Sequence, residues 1–331
     1  MGAAAMTETA LQSARDPSGK TGNGEPGLPP PRAKQDVDLQ ALRERLAALA
    51  GKQIFFVGGA EKSGTSWLQR LLDLHPEVSC GGESHFALSL LPALRKALED
   101  HNRFVLDKKQ NPFLHQLGET HPTFDHNDVL CLLATAISLT FIKHMNGRSP
   151  KAIGERTTAN ARVFSGLAAL YPGAKCVHIV RDPRDAAVSS YHHARRFAPA
   201  ELRSQMLSKP DYVVHYLDVW EETIVRALAY AEKHPDRYFE FRYEDLVERT
   251  APTLAGIFRF LGVDDSEEIA DRCARAASFE KLSGGRVRGE ENEDSFFRVG
   301  VAGDWRNHLD ASTNDRVIAK VGTLMKRFGY L

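Results

Sequence analysis

The chain has 331 residues, 43 basic and 43 acidic side chains, and 42% hydrophobic residues, which is ample for two average domains or one large α/β domain with a sizeable core. Zero formal net charge argues against a surface that coats nucleic acid or anionic membrane, since such partners demand a broad basic excess, while a local anion site stays compatible with it. The four cysteines, Cys80, Cys131, Cys176 and Cys273, lie far apart with no Cys-x-x-Cys pair, so neither a disulfide framework nor a zinc site is indicated and no metal is expected. Residues 1–36 contain no signal-peptide core, and Met6 breaks the myristoylation pattern, so a cytoplasmic location is the expectation.

Residues 1–38 are expected to form a disordered tail ahead of one domain over 39–331, because small residues, scattered charge and Pro29-Pro30-Pro31 leave no periodic face to bury. Within that tail Gly19-Lys20-Thr21 mimics the end of a Walker loop, but Ala14 stands where the first glycine belongs. Leu39, Leu42, Leu46 and Leu49 recur at helical spacing and Gly51 marks a stop. The run at 53–57 is short, apolar and closed by Gly58-Gly59, as a buried parallel strand would be. Helical spacing returns at 65–74 and ends at His75-Pro76. Further strand-like runs at 77–80, 151–154, 176–180 and 238–243 alternate with helical patterns. This order predicts an α/β fold of three layers, a P-loop-like parallel sheet flanked by helices. The segment 87–145 reads as mostly helical around a polar loop at 111–128, a substrate-shaping insertion spanning about 84–150. Its apolar stretch at 129–142 is interrupted by Thr135, Ser138 and Thr140 and is expected to fall short of a membrane span.

Three segments carry chemistry. Gly58-Gly59-Ala60-Glu61-Lys62-Ser63-Gly64-Thr65-Ser66-Trp67 joins a strand to a helix, where backbone N–H groups and the helix dipole converge on an anion. Gly59 and Gly64 have Walker spacing, yet Thr65 takes the lysine position and the lysine has moved to Lys62. That departure weakens the alternative of a Mg-dependent small-molecule kinase. In the second segment an apolar strand ends at Arg181, where open α/β sheets hold ligands, and Arg181 suits bidentate contact with a phosphate. Ser189 follows eight residues later, about two helical turns on; the rival reading is a surface ion-pair cluster of Arg181, Asp182, Arg184 and Asp185. The third segment, Arg298-Val299-Gly300-Val301-Ala302-Gly303-Asp304-Trp305, has the glycine spacing of a loop that closes over a ligand.

Together these segments resemble the sulfotransferases that use 3′-phosphoadenosine 5′-phosphosulfate, PAPS, with PAP as product. The resemblance covers about residues 53–309 and combines cytosolic-type cofactor motifs with a tyrosylprotein-type segment, as in a bacterial-type member. It implies that Lys62, Ser63, Gly64, Thr65, Ser66 and Trp67 form the 5′-phosphosulfate loop, that Arg181 and Ser189 hold the 3′-phosphate, and that Tyr243, Ser278 and Phe279 surround the adenine. Arg298 and Gly300 resemble the lid, with Val299 where a lysine is usual. The histidine base of the cytosolic members is absent, because Glu155-Arg156-Thr157-Thr158 occupies that region. The stretch Asp73 to His85 is instead similar to the tyrosylprotein enzymes, which implies Glu83 as general base. A strand ending near Cys80 would likewise deliver Glu83 beside the loop. His85 is the competing base, since histidine ordinarily titrates in the range such a role needs. The resemblance further implies that Lys62 stabilises the leaving phosphate. A small-molecule acceptor is expected, with specificity in 84–160 and 195–212; a non-catalytic nucleotide-binding module is the remaining alternative.

Overall fold

The apolar runs are too short for helices and rich in β-branched and aromatic residues, and each becomes a strand of one sheet. A computed structural model of the chain describes residues 38–109 and 122–331. The expected tail, the Gly19-Lys20-Thr21 mimic and much of the polar loop lie outside those residues. The strands are β1 (Gln53–Gly58), β2 (Val78–Gly81), β3 (Ala152–Arg156), β4 (Lys175–Val180) and β5 (Tyr238–Arg242). They pair in the order β2-β3-β1-β4-β5, and every pair is parallel. β1 is therefore central, with β3 on one side and β4 on the other. The chain leaves β1 toward one edge and returns past it toward the other, which opens a crevice at its carboxyl end.

Helices cover both faces, as a fully parallel sheet requires. On one face lie α2 (Thr65–Asp73) and two later helices, Thr250–Leu261 and Glu267–Ala276, whose Leu68, Leu71, Leu72, Leu254, Ile257 and Phe258 form one core with Phe55 and Val57, while α1 (Leu39–Ala47) lies on the opposite side against the helix His126–Met145. After α3 (Leu91–Lys109), the other face is covered by α4 (His126–Met145), α5 (Asn160–Leu170) and, beyond α6 (Pro183–Phe197), by α7 (Lys209–Lys233), through Leu133, Ile137, Phe141, Phe164 and Tyr230. A third cluster joins α6 and α7 to the last helix, Ala311–Arg327, and contains Leu217, Trp220 and Ile224, which recur at helical spacing and are fully buried.

Two expectations need correction. The strand predicted at 151–154 begins one residue later and runs on to Arg156, so it carries Glu155 and Arg156 into the buried sheet. The hydroxyl residues do not interrupt the apolar stretch either, because α4 spans His126–Met145 and absorbs them. Thr135 and Thr140 donate to the helix's own carbonyls at Cys131 and Ile137, 2.8 and 2.7 Å, and Ser138 bonds the Tyr171 hydroxyl. By length and composition α4 is long and apolar enough to cross a membrane, with 33% of its most apolar window buried against the rest of the fold.

β1 and β3 approach so closely that a Cβ at Gly154 would lie 2.0 Å from the Phe55 carbonyl oxygen, its register partner. Neither backbone can yield without breaking the central ladder. Gly154→Ala is therefore expected to lower unfolding stability by at least about 2 kcal/mol, as overpacked cores do, measured by guanidinium denaturation.

Candidate active site

β1 ends at Gly58 and α2 starts at Thr65, so residues 59–64 must turn the chain at the carboxyl edge of the sheet. The turn is left-handed twice: Lys62 has φ 64° and Gly64 φ 93°. Only glycine fits the second position, since a Cβ there would meet the Tyr243 ring at 2.5 Å. Three neighbours hold the turn. Arg181 donates to the Lys62 carbonyl at 2.9 Å, the Tyr216 hydroxyl donates to the Glu61 carbonyl, and the Gly59 N–H reaches the Thr158 carbonyl at 3.1 Å. Ser63 is fully buried, and its hydroxyl has no partner among the described residues.

The Lys62 ammonium lies 4.7 Å from the centre of the Phe296 ring. Burial, followed by the charges of Arg196 and Arg181, pushes its pKa down to about 8 against the opposing pull of Glu61 and Glu83. Arg181 is buried, its guanidinium 4.3 Å from the Tyr243 ring centre and its Nε without a partner among the described residues. Ser189 is half-buried on α6, in the helix that Arg181 precedes. The rival ion-pair cluster is real but buried, and it has a structural task. Arg184 pairs with Asp182 at 2.7 Å, while Asp185 accepts the Gly303 and Trp305 N–H groups at 2.6 and 2.8 Å and so docks the C-terminal loop.

Beside this turn is a cleft of about 350 Å³ lined by Trp67, Ser278, Phe279 and Arg288 among others. Trp67 belongs to core and cleft together: it is buried, donates to the Ala277 carbonyl at 2.8 Å and meets Tyr243 edge-on. Ser278 caps the short helix Phe279–Leu282. Arg288 stacks 5.1 Å from Trp67 and 5.7 Å from Phe279 and donates to the carbonyl of Gly300, which rests against the Phe279 ring. Arg298 is turned onto carboxylates, pairing with Glu291 and Asp304, and its Nε has no partner. A larger depression at the amino ends of the strands, lined by Lys52, Lys151 and Lys175, faces away from the edge where parallel sheets bind ligands.

Glu83 and His85, rivals by sequence, are in contact. One oxygen of Glu83 pairs with Arg156 and the other lies 3.2 Å from His85 Nε2. His85 has φ 50°, so two of the three non-glycine residues with positive φ among the described residues are Lys62 and His85; the third, Asn146, closes α4 as an ordinary helix cap. The structure thus brings Lys62 and Arg181 together, with Glu83 near enough for its charge to act on Lys62. Arg156, Arg196, Arg288 and Phe296 carry no motif and escaped the sequence; a cation at a strand's carboxyl end was the one signal available for Arg156. The pairs His192-His193 and Asp125-His126 belong to no metal-ligating group among the described residues, and Asp125 serves as the α4 cap.

The sequence model of the sulfotransferase family matches residues 54–267. Cytosolic sulfotransferase 15 of Arabidopsis thaliana is 27% identical over 207 residues, 54% of this chain and 55% of its own length. An amine sulfotransferase of Oryctolagus cuniculus is 25% identical over 160 residues, 43% and 52% of the two chains. The chain thus spans about half the length of these curated relatives. A mouse sulfotransferase solved in complex with PAP shares the fold, with a TM-score of 0.54 at 17% identity over 88% of this chain and 92% of that one.

A ¹³C NMR titration of the lysine side chains should show Lys62 with a midpoint near 8, as its surroundings dictate, while freely exposed lysines titrate about two units higher. A midpoint for Lys62 above 10 would contradict the enclosed geometry.

Proposed function

The chain belongs to the sulfotransferase family, and from that premise we propose that it moves a sulfuryl group from PAPS to a hydroxyl or amine of a small acceptor. When bound, PAPS supplies the sulfuryl group and a phosphate as leaving group. The observation that carries the reading is the strained turn at Lys62, an enclosed ammonium under the field of Glu83 at the head of α2. The unpartnered buried atoms Ser63 Oγ, Arg181 Nε and Arg298 Nε are further support, because buried polar groups ordinarily have partners and a polyanion would supply them.

In this reading the backbone amides of residues 62–67 and the side chains of Lys62, Ser63, Thr65 and Ser66 hold the phosphosulfate, with Gly64 permitting the turn. Arg181 and Ser189 take the 3′-phosphate, and Trp67, Tyr243, Ser278 and Phe279 enclose the adenine. Arg298 and Gly300 close the loop over the nucleotide, which requires Arg298 to release or share its carboxylates. Lys62, still mainly an ammonium at neutral pH, stabilises charge growing on the leaving oxygen and is near enough to its pKa to donate a proton. Glu83 accepts the proton of the attacking hydroxyl or amine, oriented by Arg156 and His85. The free thiols of Cys80, Cys131, Cys176 and Cys273 support a reducing, cytoplasmic setting.

A labelled-PAPS transfer assay against a mixed acceptor library, with products identified by mass, tests the activity. Nucleotide binding with no transfer would make the chain a binding module, and turnover of ATP with Mg would favour a kinase. Glu83→Gln is expected to cut turnover by at least ~100-fold, the scale of general-base catalysis, with PAP affinity unchanged by calorimetry; normal turnover would hand the role to His85. Arg181→Ala should weaken PAP much more than its 3′-hydroxyl analogue, and equal losses for the two nucleotides would remove the 3′-phosphate assignment.

A further inference from the structure

The exit of β3 touches both halves of the site. Glu155 is buried at 3% exposure, and its two oxygens serve opposite sides. One accepts from Asn160 Nδ2 at 2.7 Å, and the same amide group donates to the Val57 carbonyl of β1 at 3.1 Å. The other accepts from the Thr157 hydroxyl at 2.8 Å. Thr157 Oγ1 in turn accepts the N–H groups of Ser84 and His85 at 3.2 and 3.3 Å. A hydroxyl offers one proton and two lone pairs, and here all three are used. The next residue, Thr158, receives the Gly59 N–H of the phosphate loop. The preceding one, Arg156, pairs with Glu83.

We propose that Glu155, Thr157 and Asn160 are positioning residues that set the distance and angle between the base-bearing segment 83–85 and the loop that holds the sulfuryl donor. The proposal rests on the functional reading above, in which that segment supplies the base. The hydrogen-bonded path runs from Val57 through Asn160, Glu155 and Thr157 to the backbone of residues 84–85, and none of its side chains needs to touch a substrate. Because Glu155 is acceptor-only when ionised, it forces the Thr157 proton toward itself and leaves the lone pairs for the two amides. Reaction rates fall steeply with misplacement of the reacting groups, on the order of 100-fold for about 1 Å.

The test is Thr157→Val, which keeps the shape and removes the hydroxyl, against Thr157→Ser, which keeps the hydroxyl. For the valine variant kcat should fall about 10- to 100-fold, while KM for PAPS and PAP affinity stay near wild type and the melting temperature falls without loss of the folded state, because the Ser84 and His85 N–H groups lose their acceptor. The serine variant should recover turnover to within about three-fold, because it retains the full hydrogen-bonding capacity of a hydroxyl. Wild-type turnover in a folded valine variant overturns the proposal, as do equal losses in the two variants, which would assign the effect to the methyl group. If the valine variant does not fold, Glu155→Gln decides by the same readouts, because its amide must present NH2 either to Thr157 or to Asn160, each of which already donates there. Glu83→Gln run in parallel separates the two ideas. Turnover lost there but kept in Thr157→Val defeats the positioning role alone; the reverse pattern defeats Glu83 as base and leaves the anchored His85 in its place.

Discussion

A lysine held in a left-handed turn is the constraint around which the rest of the site is arranged. Positive φ at a non-glycine residue costs on the order of 1 kcal/mol, and Lys62 keeps it only because neighbours grip the turn from several sides. Arg181 bonds the Lys62 carbonyl from the end of β4, and Thr158 bonds Gly59 from the end of β3. Both grips exist because β1 is sandwiched between those two strands. The Tyr243 ring fills the space a side chain at Gly64 would need and lies against Arg181. Strand order, turn conformation and cation placement are thus one arrangement: shifting any of the three would disturb the other two.

Charge is handled by enclosure. The chain balances 43 basic against 43 acidic side chains, yet Lys62, Arg156, Arg181 and Arg196 gather at one edge of the sheet. Lys62 feels the crowding directly, since Arg196 and Arg181 reinforce the effect of burial on its ammonium. Acids answer this locally. Glu83 faces Arg156, and Asp185 uses its oxygens to dock the loop at Gly303 and Trp305. Burial raises the pKa of the Asp185 carboxyl, and Arg181 and the two N–H donors counter that rise. The rival reading of a surface ion-pair cluster thus gives way to a buried bracket, in which Arg181 Nε has no partner among the described residues.

The β1 strand, the glycine-rich turn after it and α2 were legible because their signals are local: an apolar run, two glycines and a 3.6-residue stripe within about 20 residues. The same local signal, helical spacing of apolar residues, marks Leu217, Trp220 and Ile224, which are core. The end of β3 was not legible. Glu155 and Arg156 are poor strand formers in a sequence window, and only pairing with β1 and β2 makes that position a strand. The hydroxyls of α4 misled for a related reason, since Thr135 and Thr140 satisfy themselves on carbonyls of their own helix.

The sequence by itself determined the parallel α/β architecture, the glycine-rich turn between β1 and α2 and the family resemblance, since each depends on residues near one another in the chain. What only the tertiary structure decided is how separated segments meet. Glu83 and His85 read as alternatives along the chain, but in space they are partners, and both are held by the exit of a strand some 70 residues away. Arg298 reads along the chain as part of a loop that closes over a ligand, but folding pairs it with Glu291 and Asp304. Hydrogen bonds and ion pairs act over a few ångströms, so their partners are set by the packing of the sheet and its helices, which no local pattern of residues encodes.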